Sequence, residues 1–155
     1  ALALSVDPYP KGLMDRPPRV KNEPLMTKSR AFNVFYVSSL ITAGVLVLFV
    51  WGLRAYDDLA HVQTIAFTSL VLFELVRAYT ARAESHVPVF SNSWLLVAVL
   101  VSFGLQLAVI YTPLSFVFGT VALSLKDWIS IATATLIVFI LSLIGMVVQR
   151  RFSDK

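Results

Sequence analysis

Cysteine is absent from the 155 residues, so disulfides and thiolate metal sites are excluded and the redox compartment stays unread. Charge is scarce too. Asp, Glu, Lys and Arg make up 14% of the chain against 57% hydrophobic residues, whereas an average soluble domain carries about 25% charged residues. So few charges cannot coat a soluble globule of this size, and with a mean hydropathy of +0.78 the composition reads as an integral membrane protein. The strict alternation of a barrel strand is also missing, because the apolar residues run continuously. There is no Gly-rich phosphate loop, no His-Glu-x-x-His and no nucleophile elbow. Taken alone, the chain lacks the parts for catalysis. The formal net charge is +4, but the basic residues fall in short clusters between apolar runs and form no continuous field, which argues against nucleic acid as a partner.

What is present is four apolar runs, at about residues 31–53, 64–83, 93–111 and 128–148. Each is long enough to cross a hydrocarbon core of about 30 Å as a helix. Lys11, Arg16, Arg19, Lys21, Lys28 and Arg30 precede the first run, Arg77 and Arg82 close the second, and Arg150, Arg151 and Lys155 follow the fourth. Only Arg54 and Lys126 lie in the other two connections, a bias of 11 to 2. The expected fold is all-α and membrane-integral: four transmembrane helices as two antiparallel hairpins, with both termini cytoplasmic. Trp51, Tyr56, Trp94, Tyr111 and Trp128 fall near span ends, as interfacial aromatics do.

Residues 1–6, "ALALSV", are too short for a signal-peptide core of about 7–15 apolar residues. They read as the end of an earlier transmembrane helix, which makes the chain a piece of a longer one. Residues 7–30 form a Pro-rich basic loop. Pro8, Pro10, Pro17, Pro18 and Pro24 disfavour helix and hold the backbone extended, so Arg16 and Arg19 stand on a stiff support. A plain basic flank set by the positive-inside rule is the simpler account of this loop, but it leaves the prolines unexplained. Residues 31–155 form the four-helix domain.

Glu74 is the sharpest single signal. It lies ten residues beyond Thr64, about 15 Å along a helix, and so near the bilayer midplane. A charge there costs about 2.5–3.5 kcal/mol on insertion scales. Either it serves ion or proton transfer, with a hard cation such as calcium suiting its oxygens, or Arg77 at i+3 neutralises it locally. Gln106 is expected to make a helix–helix hydrogen bond. Ser38, Ser39, Thr42, Thr133 and Thr135 are expected to be packing residues, and the small-residue pairs Ser39/Ala43 and Ala98/Ser102 would allow close helix contact. His61 and His86 are placed in loops too far apart for a metal site, and Asp57-Asp58 in a solvated outer turn.

The stretch "GLMDRPPRVKNEPLM" resembles the cytoplasmic loop after the sixth transmembrane helix of type II P-type cation ATPases, the calcium-pump group. "QTIAFTSLVLFELVRAYTARAES" is similar to the eighth helix of those pumps. The resemblance covers nearly the whole chain, as helices seven to ten with the loop before them. It implies a parent that couples ATP hydrolysis, with magnesium, to cation export, although the phosphorylation and nucleotide sites would lie before Ala1. Partners implied are the remaining pump helices and cytoplasmic domains, the bilayer and a transported cation, calcium first and sodium or protons as alternatives. Glu74 matches an eighth-helix carboxylate ligand. Asp15, Arg16, Pro17, Pro18 and Arg19 match a loop that links the phosphorylation domain to the membrane. Arg77 departs from the reticulum-type pattern, which has a neutral polar residue there, and a pairing with Glu74 would remove one ion site. A cell membrane is expected ahead of an organelle membrane. The alternative reading is a free-standing four-helix scaffold or accessory subunit without catalytic activity.

Overall fold

A computed structural model describes residues 28–84 and 93–153. The basic Pro-rich loop and its motif, Asp15 to Arg19, lie outside the described residues, as does His86. Four long helices and one short one follow in order: α1 (Lys28–Ala55), α2 (Leu59–Glu84), α3 (Ser93–Tyr111), α4 (Leu114–Phe118) and α5 (Leu125–Ser153). The four long ones are long and apolar enough to cross a membrane, which satisfies every backbone group inside the segment where no water is at hand. The end of the bundle bearing residues 56–58 and 112–124 is here the outer end, the one that the charge bias assigns to the non-cytoplasmic side.

The first two helices form a tight hairpin. Asp58 caps α2 by accepting the Ala60 N–H at 3.0 Å, satisfying one of the orphan donors of the first turn. α5 then packs along both α1 and α2, making a three-helix core. Its centre is Val37, Ile41 and Leu48 from α1, Ile65 and Phe73 from α2, and Ile131 and Val138 from α5. On α1 these recur at i, i+4 and i+11, one stripe of a helix. Close approach is set by glycines. A Cβ on Gly44 would stand 2.8 Å from the Phe73 ring and 3.1 Å from Val138, and one on Gly52 3.0 Å from Val62. The small residues Ser39 and Ala43, expected to serve this purpose, are exposed instead.

α3 leans on α2 alone among the long helices. It meets α5 through side chains at the outer end, where Phe103 and Trp128 pack edge to face at 6.2 Å and the Trp128 indole N–H donates to the Tyr111 hydroxyl at 2.7 Å. Further in, an apolar crevice of about 810 Å³ opens between α2, α3 and α5, walled by Val99, Phe103, Leu136 and Phe139 among others. Hydroxyls along the spans turn back onto their own helices: Ser39, Thr42, Thr133 and Thr135 each donate to the carbonyl four residues earlier. This is how isolated Ser and Thr are satisfied in a hydrocarbon environment.

Candidate ion-binding face and an outer polar lock

α2 is the central helix, and its two sides differ. One side buries Val62, Ile65, Ser69 and Phe73 against α1 and α5. The other exposes Gln63, Phe67, Leu70 and Glu74, spaced i, i+4, i+7 and i+11, so they form one stripe along the helix. Glu74 therefore sits, exposed, near the middle of a 26-residue helix. Arg77, at i+3, is half-buried, and among the described residues the two form no ion pair. The helical spacing permits a local pair, yet the carboxylate is left to face outward.

Gln106 behaves as expected. Its amide N–H donates to the Thr68 hydroxyl at 3.0 Å, buried between α3 and α2. An amide inside an apolar span must find such a partner, and this one fixes α3 on the α2 surface.

A second polar cluster lies at the outer end. Asp127, in the first turn of α5, is completely buried. Its Oδ1 accepts the Tyr56 hydroxyl at 2.7 Å. Its Oδ2 accepts the Ser124 N–H at 2.8 Å, the Ser124 hydroxyl at 2.7 Å and the His61 Nε2–H at 2.9 Å. Four donors converging on two oxygens describe an ionised carboxylate, which only accepts, and they fix the proton of His61 on Nε2. The Ser124–Asp127 half is a capping box, with the Asp127 N–H returning to Ser124 Oγ. His61 stacks on Tyr56 at 4.2 Å between ring centroids, Tyr56 packs edge-on to Trp51, and the Lys126 ammonium stands 5.8 Å over the Trp51 ring. One carboxylate thus ties together the outer ends of α1, α2 and α5. The hydrogen bond to Asp127 is the main cause, with desolvation next, that raises the Tyr56 phenol above its ordinary value of 10.0.

His61 was expected in a loop. α2 begins at Leu59, before the apolar run, because Asp58 caps it, and His61 is carried onto the helix. Among the described residues no group of His, Cys, Asp or Glu is arranged to hold a metal ion. By its hydrogen bonds the outer cluster acts as a lock on three helix ends. Any cation site on the exposed α2 stripe needs ligands from elsewhere, since one carboxylate is not the 6–8 oxygens that calcium takes.

Comparison with known proteins gives the family. A family profile described as "Cation transporting ATPase, C-terminus" matches residues 1–148. The chain belongs to the cation-transporting ATPases, as their C-terminal region. It is similar to a calcium-transporting ATPase of Bacillus subtilis, 37% identical over 133 residues, which cover 83% of this chain and 15% of the relative. It is also similar to the mouse calcium-transporting ATPase type 2C member 1, 32% identical over 155 residues, 97% of this chain and 17% of the relative. A probable cation-transporting ATPase F of Mycobacterium bovis shares 29% identity over 147 residues, 91% of this chain and 16% of the relative. The chain thus spans roughly a sixth of the length of the ATPases it matches. With its four apolar helices, this ATPase region is a multi-pass membrane protein.

Proposed function

We propose that the chain is the C-terminal membrane module of an ATP-driven cation pump that carries calcium, and that Glu74 offers one carboxylate to the transported ion. The exposed Glu74 on the α2 stripe, which forms no ion pair among the described residues, carries this reading. A carboxylate at membrane depth costs several kcal/mol if lipid faces it. The stripe is accordingly the seam for pump helices outside this chain, which complete the ligand set. Relatives whose names say calcium-transporting, and of which the chain spans 15–17%, favour this role over a free-standing scaffold. ATP and magnesium act in the parts of the pump outside the chain. The cell membrane is the proposed location.

Glu74→Gln in the full pump is expected to lower the apparent calcium affinity of the ATPase about tenfold, equivalent to about 1.4 kcal/mol, with the protein still folded and inserted. An unchanged affinity removes Glu74 from the site. Asp15, Arg16, Pro17, Pro18 and Arg19 are proposed as a stiff strap that couples the cytoplasmic machinery to these helices. Arg16→Glu should cut turnover severalfold while membrane insertion stays normal. Normal turnover in that variant reduces the loop to a topology signal.

A further inference from the structure

The two outer connections differ in kind. The one before α2 carries Asp57 and Asp58, with Arg54 and His61 on the helix turns that flank it, whereas no charged residue occurs from Thr112 to Leu125. Within that uncharged connection α4 exposes Leu114, Phe116 and Val117, the latter two at 90% and 79%. Single exposed apolar residues are ordinary on a protein surface, but a contiguous set marks an interaction site.

The segment is held, not slack. Thr120 Oγ1 donates to the Val109 carbonyl at 2.7 Å. The Val121 N–H donates to Thr64 Oγ1 on α2 at 3.0 Å, and the Tyr111 hydroxyl donates to the Leu123 carbonyl at 2.9 Å. Gly119 closes α4 in the left-handed region at φ 63°, where a side chain is disfavoured. Phe118 lines a cavity of about 240 Å³ with Gln63, Thr64 and Phe67 of α2, yet it too is exposed. The outward apolar set is therefore Leu114, Phe116, Val117 and Phe118, pinned from below.

We infer that α4 is an interfacial anchor, inserting Phe116 and Val117 into the headgroup–acyl boundary of the outer leaflet. Three observations select lipid as the occupant. α4 packs only on α3 among the described elements, and the outward side of α3 is itself apolar and exposed at Leu100, Leu105 and Tyr111, so the wedge prolongs a surface that already faces hydrocarbon. The hydrogen-bonded Tyr111–Trp128 pair at its base is of the kind that sits at headgroup level. The tip offers no charge to the polar rim that a protein partner would present. Amphipathic segments of this kind bury their apolar side about 5–10 Å into the boundary. Anchoring here steadies the outer end of α3, the long helix with the least support from the bundle. The inference holds whichever cation the pump carries.

The test is Phe116→Cys carrying a nitroxide spin label, in the full-length pump reconstituted into phosphatidylcholine vesicles. Collision with dissolved oxygen should exceed collision with a water-soluble nickel chelate severalfold. Val117→Cys should give the same ratio, and it serves where Phe116→Cys does not express. A ratio favouring the nickel chelate places the tip in water and overturns the anchor. A label shielded from both reagents means that another part of the protein covers α4, and this also overturns it.

Discussion

Asp127→Ala is expected to produce the largest loss of stability of any single substitution in the module. The side chain is completely buried and receives four donors from α1, α2 and the turn before α5. Removing it leaves the Tyr56 hydroxyl, the His61 N–H and the Ser124 N–H facing a void. A buried group left without a partner costs about 1–3 kcal/mol, and the part-buried Tyr56 and His61 donors each lose theirs at once. Thermal inactivation of the purified protein in detergent, followed by size exclusion, should shift by many degrees. Asp127→Asn keeps the volume and, with its amide oxygen in the Oδ2 place and its NH2 toward the Tyr56 hydroxyl, which can accept, should recover much of the loss. An alanine that leaves the melting profile unmoved would mean that the three helix ends are held by packing alone. The Tyr56 phenol gives the lock a pH signature. Its folded value is raised above 10.0, so its contribution is fully present below pH 10 and is lost as the pH climbs through the raised value.

Gly145→Val is the second large expectation. A Cβ at Gly145 would overlap the Tyr36 ring, and that ring is fixed on the α1–α5 seam by its hydroxyl, which donates to the Leu141 carbonyl at 3.1 Å. Overpacking of this kind costs about 1–3 kcal/mol, and the displaced Tyr36 gives up its hydrogen bond as well. The valine should therefore prise α1 from α5 and lower thermostability. The check is a double-mutant cycle. Tyr36→Ala removes the obstacle, so Gly145→Val should cost markedly less in that background. Additive losses would mean that the two residues do not meet.

The sequence made some of this legible, for physical reasons that can be named. Four apolar runs of membrane length admit few structures other than spanning helices, so the fold class could be read directly. Gln106 could be read too, because an amide in hydrocarbon has to pair, and Thr68 is its partner. The state of Glu74 could not, since i+3 spacing allows a pair with Arg77 without imposing one. Which side of a helix is covered depends on neighbours that periodicity does not name, and this is why Ser39 and Ala43 proved exposed while Gly44 and Gly52 make the close contacts. Asp127 has a local signal: Ser124-Leu-Lys-Asp127 just before an apolar run is a capping box. What no local pattern shows is that Tyr56 and His61, 71 and 66 residues away, turn toward the same carboxylate.

That separation has a bearing on how the module is made. α1 and α2 leave the ribosome first, with Tyr56 and His61 at their outer ends and no acceptor for them. The carboxylate arrives only with α5, so a nascent chain that stops short of Asp127 holds none of these contacts. The hairpin can cross the bilayer early, but its outer end is locked only once α5 has been synthesised.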